Sequence, residues 1–157
     1  MKTLLSLVFL FILTVLADHH EHHGHDHHSD HQHNVKTEKD YLKYHDYCVD
    51  KLKFPSTLAQ DFKQYKYEDN EHSHEYMKCL FEHYGFLDSH GHFDDQAIHE
   101  QLAAIHGNVA VHNHEDPTHR MVNNCIDEIN KNAKDNCACR SYRLSKCVFK
   151  DAPIKWY

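Results

Sequence analysis

The sequence has one long hydrophobic run, at its start, and no concentrated stretch of basic residues. Beyond residue 16, no apolar stretch approaches the roughly 17–25 residues that a membrane-spanning helix requires, so we expect no membrane anchor. The 17 lysines and arginines are outnumbered by 24 aspartates and glutamates, which gives a net charge of −7. This balance argues against nucleic acid as a partner, because phosphate backbones are bound by clustered positive charge.

Catalytic motifs are also missing. The sequence contains neither Gly-x-Ser-x-Gly nor His-Glu-x-x-His, and it lacks the calcium loop and the Cys-Cys-x-x-His helix of a disulfide-rich phospholipase. We therefore expect no enzyme. Strands have little support, because no segment shows sustained alternation and the two short candidates, residues 109–111 and the last residues, could not form a sheet.

The first hydrophobic run has the features of a secretion signal. Lys2 provides a short positive region, an apolar run of about 13 residues follows, and Val15-Leu16-Ala17 offers a cleavage point. We predict that residues 1–17 are a signal peptide and that the mature, secreted, extracellular protein starts at Asp18.

Residues 18–35 are predicted to be a disordered, histidine-rich arm, because they contain too little apolar surface to offset the entropy of ordering. Nine histidines lie within residues 18–33. Neutral imidazoles bind Cu²⁺, Zn²⁺ or Ni²⁺, and a free amine two residues before a histidine can complete a square plane of nitrogens. The candidate ligands are Asp18, His19, His20, His22, His23, His25, His27 and His28. A hydrophilic spacer whose histidines serve solubility is the alternative interpretation.

Helical periodicity begins after the arm. Apolar residues recur at three- and four-residue intervals, as on Met77, Leu80, Phe81 and Tyr84. Six helices are predicted, over residues 37–53, 57–65, 70–84, 94–106, 116 to about 130, and 137–149. The sequence thus predicts an all-α domain over residues 36–150 and an apolar, aromatic C-terminal tail over residues 151–157.

Six cysteines, in a chain that we expect to be exported, predict disulfide bonds. Their order, together with the stretches Tyr67-Glu-Asp-Asn, His74-Glu-Tyr-Met-Lys-Cys-Leu-Phe-Glu-His-Tyr-Gly-Phe-Leu-Asp88 and Gly91-His-Phe-Asp, resembles the insect pheromone- and general-odorant-binding proteins. The likeness is to a dipteran branch, some members of which carry a histidine run just after the leader. It covers about residues 36–148.

The resemblance implies a six-helix bundle with bridges that join the first cysteine to the third, the second to the fifth and the fourth to the sixth. It assigns Cys48 to Cys79 and Cys125 to Cys147. The second family position falls on Glu75, so one bridge partner is missing.

The fifth family position is split between Cys137 and Cys139, which are separated from Cys147 by nine and seven residues where the family has eight. Three interpretations of these unassigned thiols stay open. They form a local bridge, they are free or hold a metal, or one of them bridges elsewhere.

The resemblance further implies a non-catalytic carrier that binds small hydrophobic ligands, such as odorants, pheromones or fatty acids, in an apolar cavity and requires no cofactor. A chemosensory receptor or a membrane is the implied further partner, and the carrier is expected as a monomer or a weak homodimer. The alternative is a secreted metal-binding or antimicrobial protein that acts through its histidine arm.

The candidate pocket residues are apolar or aromatic positions of the predicted helices and the tail. They are Phe62, Tyr76, Leu80, Phe81, Tyr84, Ile98, Leu102, Ile105, Met121, Ile126, Leu144, Val148 and Trp156. For each of them, ordinary core packing is the competing interpretation, since periodicity cannot distinguish a side chain that lines a cavity from one that fills it. The tail is expected either to close the cavity as a lid or to fray.

Overall fold

A computed structural model describes residues 35–88, 90–107, 115–131 and 137–157. The described residues form six α-helices and no strand, and Leu87 and Phe93 make an isolated antiparallel bridge. The helices are α1 (Glu38–Leu52), α2 (Ser56–Lys63), α3 (Glu71–Tyr84), α4 (Asp95–His106), α5 (Pro117–Lys131) and α6 (Cys139–Phe149). The all-α prediction is confirmed.

Local capping residues set most of the helix starts. The side chains of Thr37, Asn70 and Asp94 accept hydrogen bonds from backbone N–H groups in the first turns of α1, α3 and α4. Asp116 does the same for α5, where its carboxylate accepts from the N–H groups of Thr118 and His119 at 2.7 and 3.2 Å. Because these caps depend on neighbouring residues alone, four helix starts were predictable from the sequence.

The helix boundaries differ from the predicted ones by at most two residues, and the largest differences are in α2 and α6. α2 begins at Ser56, one residue before the predicted start, because Pro55 occupies its N-cap. It ends at Lys63, two residues before the predicted end, because Tyr65 adopts a left-handed φ of 60°. α6 begins at Cys139 instead of residue 137, because Cys137 precedes the helix and is bonded to Cys139.

Disulfides join the helices in pairs. Cys48–Cys79 ties α1 to α3, and Cys125–Cys147 ties α5 to α6, each with Cα atoms 5.9 Å apart. These are the pairs that the family resemblance implies. Of the three interpretations of the remaining pair, the structure has the local bridge, Cys137–Cys139.

The core draws buried residues from all six helices, from the loop after α3 and from the C-terminal tail. Among the described residues, no helix combines the length and the apolar composition needed to cross a bilayer. The predicted signal peptide, all but the last residue of the histidine arm and the strand candidate at residues 109–111 lie outside the described residues.

Candidate functional site

The candidate site is the interior of the bundle, where buried aromatic rings come from three helices, one loop and the tail. We call this set the aromatic core. It consists of Tyr41, Phe62, Tyr76, Phe81, Tyr84, Phe86 and Trp156, each at most 4% exposed. Such rings provide large apolar contact surfaces, and the phenol and indole groups add a few hydrogen-bonding atoms. A surface of this composition suits a mostly apolar small molecule.

The structure brings the predicted pocket residues together. Eleven of the thirteen are buried, and Ile105 and Met121 are partly buried against the same cluster. They come from five helices and the tail, yet they belong to one contiguous core. Their side chains also pack closely on one another, as the rings of Phe62 and Tyr76 show by stacking with centroids 4.4 Å apart.

One end of the aromatic core carries a buried set of polar atoms. The Tyr41 hydroxyl donates to the Phe62 carbonyl at 2.9 Å. His45 Nδ1 and the Tyr76 hydroxyl share a hydrogen bond of 2.7 Å, whose donor depends on the imidazole tautomer. His45 is only 4% exposed, so this bond satisfies a polar group that would otherwise be costly to bury.

Burial controls the charge of these groups. It raises the pKa of the Tyr76 phenol far above its ordinary value, and the neighbouring phenols of Tyr67 and Tyr41 act in the same direction. Burial also lowers the pKa of the His45 imidazole. The phenol and the imidazole are therefore both neutral at physiological pH, which keeps this end of the core polar but uncharged.

The C-terminal tail is part of the core and does not fray. Trp156 is 4% exposed, and its indole lies edge-on to Phe81, Phe86 and Phe149 with centroids 5.0–5.3 Å apart. Its Nε1 donates to Ser145 Oγ at 3.0 Å. The tail thus fills space between α3 and α6 through packing and one side-chain hydrogen bond.

Gln101 of α4 holds both ends of the domain. Its Oε1 accepts from the Lys36 backbone N–H at 2.7 Å, and its Nε2 donates to the backbone carbonyls of Lys36 and Trp156, both at 2.9 Å. The side chain is 2% exposed. One buried amide therefore uses both of its donor hydrogens to fix the segment before α1 and the tail.

A pocket of about 20 Å³ lies beside this clamp, at the start of α1. It is lined by Val35, Lys36, Tyr84, Phe86, Ala97, Glu100 and Gln101. This volume is room for about one water-sized group. The Tyr84 hydroxyl is buried and has no hydrogen-bond partner. Burial raises its pKa well above the ordinary value, so it remains a neutral phenol.

A larger and more open cleft, of about 460 Å³, lies over the Cys125–Cys147 bridge. Met121 is the predicted pocket residue that lines it, and the charged side chains of Arg120, Glu128 and Lys150 surround it. Met121 therefore lines a surface cleft with mixed charge.

The helical fold, the paired cysteines and the buried aromatic interior can now be compared with known proteins. A profile of the PBP/GOBP family matches residues 30–151. The chain belongs to the PBP/GOBP family. Its predicted membership is thereby confirmed, and with it the non-catalytic character that this family of binding proteins has.

Three relatives support the assignment. The chain is 35% identical to general odorant-binding protein 99b of Drosophila melanogaster over 113 residues, which is 72% of either chain. It is 30% identical over 118 residues to general odorant-binding protein 99a of the same species and to odorant-binding protein 22 of Aedes aegypti, covering 74% of this chain and 78% of each relative. The likeness thus extends over most of each protein.

The PBP/GOBP assignment leaves the predicted metal ligands Asp18 to His28 untested, because they lie outside the described residues. Within the described residues, Cys48, Cys79 and His83 bring three potential ligand atoms close together. The two sulfur atoms are bonded to each other, however, and a disulfide offers no thiolate to a metal.

Sequence reasoning missed several residues of the site. Phe86 follows the helix-ending Gly85, outside the periodic pattern of α3, and only the chain reversal that pairs the Asp94 N–H with the Phe86 carbonyl turns it inward. Gln101 had a signal, because it is a polar residue on the same face of α4 as Ile98 and Ile105. Such an interruption of an apolar stripe marks a buried polar contact.

Proposed function

We propose that this protein is a secreted carrier that binds small hydrophobic molecules, such as odorants, pheromones or fatty acids, within the aromatic core. The observation that carries the proposal is the meeting of predicted pocket residues from five helices and the tail in one buried cluster. Membership of the PBP/GOBP family, and likeness to three relatives that are named odorant-binding proteins, support it.

The tail suggests how a ligand enters this closely packed interior. Two disulfides hold α1 to α3 and α5 to α6, whereas Trp156 is held by non-covalent contacts, which include ring packing and two hydrogen bonds. The helices that the disulfides join can therefore stay together while the tail moves out of the core. We propose that a ligand occupies the space between α3 and α6 by displacing the indole of Trp156.

Secretion belongs to the same proposal. The predicted signal peptide at residues 1–17 and the disulfides both fit an oxidising, extracellular location. Insect odorant-binding proteins are generally secreted, which supports the same location for this chain.

Displacement of the fluorescent probe N-phenyl-1-naphthylamine tests the carrier function. We expect long-chain alcohols, esters and fatty acids to displace the probe from the mature protein. Trp156→Ala should bind the probe more tightly if the indole occupies ligand space, while Tyr47→Ala, which alters an exposed ring, should bind it unchanged. Failure of the mature protein to bind the probe or any of these compounds would overturn the proposal.

A second function is suggested by the histidine arm. Cleavage after Ala17 would expose Asp18-His19-His20, whose free amine and third-position histidine suit Cu²⁺ or Ni²⁺. We propose metal binding by this arm as a separate activity. Calorimetric titration of Cu²⁺ into the mature protein and into a form that starts at Val35 tests it, because equal binding by the two forms would refute a role for the arm.

A further inference from the structure

The unpartnered phenol of Tyr84 identifies a place for one specific atom of a ligand. Tyr84 is 4% exposed, and its hydroxyl is buried without a hydrogen-bond partner. A buried hydroxyl with no partner is destabilising, because it has lost its bonds to water and gained none. Tyr41 and Tyr76, in the same core, have partners in the Phe62 carbonyl and in His45. Tyr84 thus differs from these two buried phenols.

The neighbouring polar group cannot serve Tyr84 or a ligand as a donor. Gln101 lines the same pocket, but both hydrogens of its Nε2 are donated to backbone carbonyls. The phenol O–H of Tyr84 is therefore the donor that remains available from these two side chains. The pocket of about 20 Å³ has room for a single oxygen function and not for a larger polar group.

The charges near the pocket further restrict which ligands can bind there. Glu100 lines the pocket. Burial raises the pKa of Tyr84, and the Tyr41 phenol and the Asp40 carboxylate act in the same direction. A surrounding that disfavours a phenolate disfavours a buried ligand carboxylate for the same reason. Lys36 also lines the pocket, and its backbone N–H donates to Gln101.

The position of the pocket also fits a ligand that replaces the tail. Phe86 lines the pocket and its ring lies 5.1 Å from that of Trp156, while Gln101 contacts the Trp156 carbonyl. A ligand whose oxygen reaches Tyr84 can therefore extend its apolar part along Phe86 into the space of the indole. This geometry adds a polar end to the otherwise apolar site.

We propose that Tyr84 selects neutral ligands with one oxygen function, an alcohol or a ketone, by donating a hydrogen bond to that oxygen. The inference rests on the proposed carrier function and adds a substrate class to it. Alkanes of the same length lack the acceptor, and carboxylates carry the wrong charge. Both should bind less tightly than the alcohol and the ketone.

The test uses the mature protein and four ligands of equal length: decane, decan-1-ol, decan-2-one and decanoate. Each ligand is titrated against N-phenyl-1-naphthylamine bound to the wild type, to Tyr84→Phe and to the control Tyr41→Phe. The control removes a phenol that already has a hydrogen-bond partner. Tyr84→Phe should weaken binding of the alcohol and the ketone about three- to tenfold, which corresponds to one net hydrogen bond. Its affinity for decane should not change.

Thermal unfolding without ligand gives an independent readout. Because Tyr84→Phe removes an unsatisfied buried hydroxyl, its Tm should equal or exceed that of the wild type, whereas Tyr41→Phe should lower the Tm. A lower Tm for Tyr84→Phe would show that an ordered water already satisfies the hydroxyl, which would overturn the inference.

The binding outcomes separate the two proposals. If all four ligands bind the wild type and Tyr84→Phe changes none of the affinities, or changes all by one factor, selection by Tyr84 is refuted and the carrier function stands. If none of the four ligands displaces the probe from the wild type, the carrier function and this inference fail together.

Discussion

Replacing Trp156 by alanine tests whether the C-terminal tail is a structural part of the domain. The indole is 4% exposed, touches three phenylalanine rings and donates a hydrogen bond to Ser145. A frayed terminal residue would have none of these contacts. Trp156→Ala removes the whole ring and leaves a cavity between α3 and α6.

The expected loss of unfolding free energy has two parts, one from the packing of the indole ring and one from its hydrogen bond. Large-to-small substitution of a buried aromatic residue costs about 3–5 kcal/mol of unfolding free energy, because the transfer term and the cavity term add. The hydrogen bond to Ser145 contributes about 1 kcal/mol of this total. Trp156→Phe keeps part of the ring and loses that hydrogen bond, so it should cost about 1–2 kcal/mol.

Urea unfolding followed by far-ultraviolet circular dichroism measures these losses. Tryptophan fluorescence cannot be used, because Trp156 is the single tryptophan of the chain. Tyr47→Ala is the matched control: its ring is 50% exposed, and its loss should change the unfolding free energy by about 0.5 kcal/mol or less. A loss as small as this for Trp156→Ala would refute the docked tail.

Three further perturbations test other parts of the site by the same measurement. Gln101→Ala should cost about 2–4 kcal/mol of unfolding free energy, because three backbone groups at the two ends of the domain lose their partner: the Trp156 carbonyl in a buried bond, and the Lys36 N–H and carbonyl in part-buried bonds. A loss below about 1 kcal/mol would contradict the clamp. Burial depresses the pKa of His45, so below about pH 6.5 the unfolded chain binds more protons than the folded protein, and the unfolding free energy should fall as the pH falls. His45→Gln should make this pH dependence less steep. An unchanged pH dependence would exclude His45 as its source. The double variant Cys48→Ala/Cys79→Ala opens a loop of sequence separation 31 and should lose about 3.5 kcal/mol, whereas a loss near zero would contradict the chain-entropy account.

The helices were predictable because their determinants are local. Asp116 and Asn70 cap the helices that follow them, and Gly85, with a φ of 77°, ends α3 in the left-handed conformation that glycine adopts without strain. The three- and four-residue spacing that predicted the buried face of α3 is also a property of the segment alone. None of these features requires knowledge of which helix packs on which.

The polar contacts of the site were not predictable, because each depends on the packing of distant segments. His45 lies 31 residues from Tyr76, and Gln101 lies 65 residues from Lys36 and 55 from Trp156. Tyr44 and His45 lie three and four residues after Tyr41, so helical periodicity alone allows either of them to face the core. The structure buries His45 because the Tyr76 hydroxyl supplies its hydrogen-bond partner, a fact that no local pattern contains.

The docked tail joins α3 to α6, two helices that no disulfide of the described residues connects. In this chain Trp156 contacts Phe81 on α3 and Phe149 and Ser145 on α6, so it connects the same two helices without a covalent bond. A packed indole can leave and return, whereas a disulfide cannot open without a change of redox state. The tail therefore makes a reversible contact between the two helices where we propose that the ligand binds.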